Sequence, residues 1–306
     1  MSTEQAQVSL IISTYNKKEY LKEAIDSALK QDYPNLEIIV TDDASTDGTE
    51  EMMKSYRDQE KITYYQQPVN VGVSKNIGNA LYNLASGKYA TLLDHDDYLI
   101  DDSYLRAAVD FLEKNPNVSF VFGNCNFYNV HTNETTVLQK GMPTITNGTD
   151  YFLHYEKPGY SHITSALGGV FHRSRAMSME CCTEETYAVD LFLWQKLMLT
   201  GDVGFIDRCI GVYRLHKHSL SNNLLDIEYD YGTIKELVKL KEIAMRRGLS
   251  NEMMDDWLNF RVSQYVSWVF WMQCFHGRQK YAYELLNSIE GQFPEICKAI
   301  KASACV

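Results

Sequence analysis

From Val8 to Phe122, short apolar runs rich in β-branched residues alternate with segments whose apolar residues recur every three or four positions. That alternation leaves few folds open. Val8–Ser13, Leu36–Thr41, Ile62–Tyr65, Tyr89–Leu93 and Val118–Phe122 read as buried strands. Between the first two, Leu21, Ala24, Ile25, Ala28 and Leu29 share one helical face, until Pro34-Asn35 breaks it. A further helix starts near Glu50. The next carries Ile77, Ala80, Leu81 and Leu84 inward to about Ala85 and stops at Gly87, and the one from Ser103 to Lys114 ends at Asn115-Pro116. Strands alternating with helices predict βαβ units and a mainly parallel sheet, an α/β domain of nucleotide-binding type. Neither a GxGxxG fingerprint nor a P-loop is present.

The fourth strand stops on Asp94-His95-Asp96-Asp97, three acids within four residues. Acids this dense repel one another unless a cation sits among them. Oxygen-rich ligand sets suit Mg²⁺ or Mn²⁺, which in turn hold phosphates, and open α/β sheets gather ligands at the carboxyl ends of their strands. A solvated loop capping the next helix through Asp102 and Ser103 is the alternative reading. The second strand ends on a similar acidic, hydroxyl-rich loop, Asp42-Asp43-Ala44-Ser45-Thr46-Asp47-Gly48-Thr49.

With 306 residues the chain can bury one large domain and an appendage. Its formal net charge of −11 argues against nucleic-acid partners and against electrostatic attachment to anionic lipid, while leaving room for a local basic patch. There is no apolar run of about 18 residues and no basic, apolar leader at Met1-Ser2-Thr3-Glu4-Gln5. Seven cysteines without CxxC spacing predict free thiols in a reducing cytoplasm.

Residues 125–165 are polar and rich in Gly and Pro. Gly168-Gly169-Val170-Phe171 reads as a strand entry, Val189–Trp194 opens a helix ending at Gly201, and Ile210–Leu215 is a strand before His216-Lys217-His218-Ser219. From about Asp226, Leu237, Leu240, Ile243 and Ala244, then Trp257, Phe260, Val262 and Tyr265, lie at helical spacings. The dense band Tyr265–Met272 reads first as core between packed helices, with a homodimer face or a membrane-surface contact as the alternatives.

Taken together, Val8–Asn16, Ser27–Tyr33, Glu37–Thr49, Asn70-Val71-Gly72 and Leu93–Asp97 resemble the family 2 glycosyltransferases, as do Val189-Asp190 before Leu193-Trp194 and Tyr213–His216 before Ser219. The resemblance covers roughly residues 8–221. It implies a GT-A fold, Rossmann-like, with a mainly parallel sheet flanked by helices. The catalytic domain would span 1–221, divided into a nucleotide-sugar half (about 1–124) and an acceptor half (about 125–221), with a helical C-terminal subdomain over 222–306. It also implies an inverting hexosyltransferase using a UDP-sugar donor with Mn²⁺ or Mg²⁺. The acceptor would be a glycan or lipid-linked saccharide of surface polysaccharide synthesis, and the enzyme would be cytoplasmic, peripheral at the inner membrane face.

Residue by residue, the resemblance places Thr14, Tyr15, Asp42 and Asp43 against the nucleoside and Asn70, Lys75, Asp94 and His95 along the donor. Asp94, Asp96 and His216 become metal ligands, with Asp97 in support and His218 a weaker candidate. Asp190 becomes the general base that takes the acceptor hydroxyl's proton. Helix capping is the alternative for Asp42, Asp43 and Asp190, and the reading kept for Asp47 and Thr49. The chain departs from the family pattern at Val189, where many members carry Glu; Glu184 and Glu185 stand nearby as substitutes. Lys75 replaces a common Arg. Two other functions compete: a nucleotide-sugar-binding protein that has lost its base, and a phosphohydrolase with Asp94 as nucleophile.

Overall fold

The computed structural model describes residues 5–163, 165–183, 186–217 and 227–303. The chain forms two compact units, Met1–Glu184 with Val189–Ser219, and Glu185–Ala188 with Leu220–Val306.

In the first unit the described residues form one ten-stranded sheet. Its strands are β1 (Val8–Thr14), β2 (Leu36–Asp42), β3 (Ile62–Gln66), β4 (Tyr89–Asp94), β5 (Tyr98–Leu99), β6 (Val118–Asn129), β7 (Glu134–Val137), β8 (Ile145–Thr146), β9 (Val170–His172) and β10 (Asp202–Leu215). The main order is β3-β2-β1-β4-β9-β6-β10-β5, with β7 on β6 and β8 on β10. The helices are α1 (Lys18–Leu29), α2 (Thr49–Met53), α3 (Val73–Asn79), α4 (Tyr104–Lys114), α5 (Gly148–His154), α6 (Arg173–Ser178) and α7 (Val189–Met198).

Strands β1, β2, β3 and β4 pair in parallel, as the βαβ pattern requires. Strands β1, β2 and β4 are buried along almost their whole length, while edge strand β3 is only partly buried; Val8, Leu10, Ile12, Ile38 and Val40 share one cluster with Leu21, Ala24 and Ile25 of α1. Burying each such Leu or Ile contributes about 1.5–3 kcal/mol. The register sets Thr14 opposite Asp42 and Ser13 opposite Asp94, so both acidic loops leave the sheet at the same edge.

Three features differ from the sequence reading. Strand β9 is antiparallel to both β4 and β6 and separates them; at three residues it carries too little pattern to show its direction. Strand β10 starts at Asp202 rather than Ile210, because register shifts around Cys209 and the charged pair Asp207-Arg208 interrupt its alternation. Helix α3 gives way to a π-helical turn over Ala80–Leu84, still burying Ile77, Ala80 and Leu81.

The second unit contains α8 (Ile227–Arg246), α9 (Asn251–Phe275), α10 (Gln279–Ile289) and α11 (Pro294–Ser303). The Ser250 side chain accepts from the Met253 amide and caps α9. Ile234, Leu237, Val262, Val266, Val269, Phe270, Leu285 and Leu286 are buried. Buried Asp230 accepts from Tyr265 Oη (2.6 Å) and Tyr281 Oη (2.7 Å), tying α8 to the two helices that follow. The aromatic band is therefore core at Val266, Val269 and Phe270 and exposed at Trp268 and Trp271. Among the described residues no helix is long and apolar enough to cross a membrane.

Candidate active site

The Asp97 amide donates to the Asp94 carbonyl (3.1 Å), closing a tight turn that holds Asp94, Asp96 and Asp97 together. Asp97 is fully buried, and its Oδ1 accepts from the Arg214 amide (2.9 Å). Ser165 Oγ stands 3.4 Å from Asp94 Oδ2 and 3.5 Å from Asp97 Oδ2. Burial, then repulsion from Asp96 and Asp190, pushes the Asp94 carboxyl up to about 7. Burial and the charges of Asp96 and Asp94 hold Asp97 well above the usual carboxylate range.

The end of β10 closes over this turn. His216 Nε2 lies 2.9 Å from Asp96 Oδ2, and the buried imidazole stacks on Tyr20 at 5.1 Å between ring centroids. The Arg214 guanidinium lies between the Tyr20 and Tyr98 rings, at 4.8 and 4.9 Å, and reaches Glu23 at 2.5 Å. His95 turns toward β1 instead, its Nδ1 3.1 Å from the Ser13 carbonyl. Burial lowers its pKa, which keeps the ring neutral with a proton on Nδ1 to donate.

Asp190 sits in the first turn of α7, and its Oδ1 accepts from the Leu191 amide (2.9 Å), so it caps as well as facing the site. Burial raises its pKa, opposed by that hydrogen bond and by His162. Asp190 and Asp94 feel each other's charge, and Tyr213 feels Asp97, Asp94, Asp190 and Asp96 in that order. The fold thus joins Asp94, Asp96, Asp97 and His216 in one group, with Asp190 within electrostatic reach of it. Val189 is buried and takes no part. Glu184, Glu185 and His218 lie outside the described residues.

The donor-side residues form a separate group. Asp42 accepts from the Ser45 amide (2.9 Å) and Tyr64 Oη (2.7 Å), and Asp43 from the amides of Val71 (2.7 Å) and Gly72 (2.9 Å). Both carboxylates are occupied in shaping their loops. Asp47 accepts from the Lys18 amide at the start of α1 and from the Thr49 amide and hydroxyl, so it ties its loop to α1, while Gly48 is the N-cap of α2 and that cap makes no side-chain hydrogen bond. Thr14 is buried with no hydrogen-bond partner for its Oγ1, Tyr15 is exposed, and Asn70 and Lys75 are exposed on the loop and helix beyond β3.

Sequence reasoning did not single out Ser165, Tyr213 or Arg214. Ser165 adopts φ 60°, in the left-handed region, and its carbonyl accepts from Trp194 Nε1 (3.2 Å). Arg214 stood inside the motif Tyr213–His216 and carried no signal of its own.

Among the described residues no three His, Cys, Asp or Glu side chains are gathered as a complete metal-holding set; Asp96 and His216 meet directly, with Asp94 beside them. The donor chemistry nonetheless fits a hard divalent cation. Burial first, and then the charges of neighbouring carboxylates, raise the pKa values of Asp94 and Asp97, and a bound cation would offset both costs.

A mainly parallel sheet with an acidic turn at the carboxyl edge of its strands is an α/β arrangement that gathers ligands at that edge, and comparison makes the class specific. Residues 9–177 match the model of glycosyl transferase family 2. The chain is 37% identical over 250 residues to the GalNAc(5)-diNAcBac-PP-undecaprenol beta-1,3-glucosyltransferase of Campylobacter jejuni, covering 78% of this chain and 75% of that protein. The chain belongs to glycosyl transferase family 2. Its fold is that of the GT-A enzymes. S. aureus TarS 1-349 in complex with UDP-GlcNAc superposes with a TM-score of 0.73 at 19% identity, over 96% of this chain and 83% of the TarS 1-349 chain. The mannosyltransferase PcManGT of Pyrobaculum calidifontis, in complex with GDP-Man and Mn²⁺, gives 0.56 at 19% identity, over 99% and 80%.

Proposed function

We propose that the chain transfers a hexose-type sugar from a UDP-sugar to a hydroxyl of a glycan or lipid-linked saccharide, with inversion, in surface polysaccharide synthesis. The reading rests on Asp190 lying within electrostatic reach of the Asp94–Asp97 turn, to which Asp96 also ties His216. Inverting transfer needs a base on the side of the sugar opposite the leaving diphosphate. The raised pKa of Asp190 makes its carboxylate a stronger base than a solvated Asp. In the reaction the acceptor oxygen bonds to the anomeric carbon as the bond to the diphosphate oxygen breaks, and Asp190 keeps the hydroxyl proton.

Asp94, Asp96 and His216 would hold Mn²⁺ or Mg²⁺, which supplies positive charge to the departing diphosphate. Asp97 and Ser165 fix the turn on which Asp94 and Asp96 stand. Thr14 and Tyr15, with the loops shaped by Asp42 and Asp43, take the nucleoside; Thr14 Oγ1 is buried and unbonded, a polar atom a ligand can satisfy. Asn70, Lys75 and neutral His95 line the donor. The relative with an undecaprenol-linked acceptor supports a lipid-linked substrate, so the enzyme would work at the inner membrane face.

Calorimetric titration of UDP and GDP, with and without Mn²⁺, tests the reading on wild type, Asp96→Ala and Asp190→Asn. Metal-dependent UDP binding is expected for wild type and Asp190→Asn and not for Asp96→Ala, with turnover of a screened UDP-sugar lost in Asp190→Asn. Absence of nucleotide binding with any metal would falsify the donor site. Binding without turnover on any acceptor would leave a nucleotide-sugar-binding protein.

A further inference from the structure

We propose that the C-terminal helical unit docks on an anionic phospholipid surface through the Trp268, Trp271 and Phe275 face of α9, with Arg278 and Lys280 as its cationic rim. The proposal rests on the lipid-linked acceptor argued above and names the surface that would bring the enzyme to it.

The face follows from helical geometry. Val262, Val266, Val269 and Phe270 of α9 are buried in the unit's core. Trp268, Trp271 and Phe275, spaced by three and then four residues, fall on the opposite side, with exposures of 52%, 47% and 86%. Trp257 and Arg261 lie on the same stripe nearer the helix start and are buried, so the cover ends partway along α9. Among the described residues no other Phe or Trp is exposed to this degree.

Charge selects the occupant. In a chain of net charge −11, no Asp or Glu occurs between Asp256 and Glu284, while His276, Arg278 and Lys280 are exposed directly after the aromatic face. Glu284 lies 3.7 Å from Lys280, an exposed i,i+4 pair of small weight. Aromatic side chains beside cations, on a helix too polar to insert, match a headgroup layer: the rings enter the interface, and Trp N–H groups and cations meet phosphates. A second copy fits less well. Even fully buried, three aromatics of roughly 150–250 Å² each fall short of the ~800 Å² per partner of a standard interface.

The test uses the full chain and its own fluorescence. Of the four tryptophans, Trp194 and Trp257 are buried, so emission changes report Trp268 and Trp271. Vesicles of brominated phosphatidylcholine should quench and blue-shift the emission, more strongly with phosphatidylglycerol present. Measured by vesicle flotation, which needs no fluorescent reporter, combining Trp268→Ala with Trp271→Ala should lower vesicle affinity about tenfold or more, and Arg278→Ser with Lys280→Ser should lower it about fivefold per charge on anionic vesicles only. UDP titration serves as the fold control and should not change in these variants. No quenching on any vesicle overturns the proposal. So does a dimer that the Trp variants dissociate, in a protein that binds no vesicle. Vesicle docking without UDP affinity leaves the docking face standing and removes the donor reading alone.

Discussion

His216 Nε2 stands 2.9 Å from Asp96 Oδ2 although 120 residues separate them, so the end of β10 is fastened to the turn after β4. The contact is buried on the histidine side, and Tyr20 stacks on its other face. Removing the imidazole takes away both a candidate ligand and the group that orients Asp96. His216→Ala should weaken Mn²⁺-dependent UDP binding about 10–100-fold. His216→Gln, which can still donate to Asp96, should recover part of the loss. Calorimetry with and without Mn²⁺ reads both. Equal loss of metal-free binding would mean that His216 only supports the fold.

Arg214 secures the same strand end in another way. It is 6% exposed at its side chain, while its partner Glu23 is 54% exposed. Solvent screens the ion pair, so Glu23→Gln should cost no more than about 1 kcal/mol. Arg214→Met also loses the packing between Tyr20 and Tyr98 and places an apolar side chain beside the acids, and should cost about 2–3 kcal/mol. Denaturant unfolding of the two variants separates the contributions. Equal costs would show that the ion pair, not the ring sandwich, holds Arg214.

The acid turn was legible because dense carboxylates on a strand end cannot be explained by packing. The parallel strands were legible because helix-covered strands are apolar on both faces. The meeting of His216 with Asp96 was not derivable from spacing and came only with the resemblance. Ser165 left no trace: a serine in a run of small residues shows neither its positive φ nor the two carboxylates its hydroxyl faces. Asp42 and Asp43 showed both their possible uses, and the structure spends their carboxylates on backbone amides and Tyr64. The end of the aromatic band was hidden as well, because Trp257 and Trp268 lie on one stripe and only the packing around them differs.

Asp94 makes the metal-free protein sensitive to pH in a defined direction. Its carboxyl rises from an unfolded value near 3.8 to about 7 on folding. A raised pKa means that its stability contribution is complete below pH 3.8 and is lost as pH climbs through 7. Asp94→Asn cannot ionise, so it should raise the melting temperature of the metal-free protein at pH 8 and leave it nearly unchanged at pH 4. The gain at pH 8 should be on the order of 2 kcal/mol, because Asp96 and Asp190 share the repulsion. Mn²⁺ should cancel the difference by stabilising wild type alone. His172 loses stability in the opposite direction, its pKa depressed to about 4 by burial, but it does so equally in both proteins. Scanning calorimetry across pH, with and without Mn²⁺, decides. A variant that melts below wild type at pH 8 without metal would contradict the repulsion argument.

Trp194 acts on the acids at one remove. Its indole N–H holds the Ser165 carbonyl at 3.2 Å, and Ser165 in its left-handed conformation presents Oγ to Asp94 and Asp97. The ring is buried and packs 4.9 Å from Phe120, so a phenylalanine can fill most of the space without the donor. Trp194→Phe leaves the Ser165 carbonyl buried and unpaired, at a cost of about 1–3 kcal/mol. Without that restraint the Ser165 backbone can relax toward an ordinary conformation, which moves its hydroxyl off the two carboxylates. Thr14, Asp42 and Asp43 lie on β1, β2 and the following loop and make no contact with Trp194 in the hydrogen-bond network described above. Donor KM should therefore stay within about twofold while kcat falls about tenfold or more, since small displacements of reacting groups weigh heavily on the chemical step. Ser165→Ala, which removes the hydroxyl and keeps the indole, should reproduce the kcat loss. Steady-state kinetics on the UDP-sugar found by screening reads both variants, and a rise in KM with unchanged kcat would place Trp194 in the donor pocket instead.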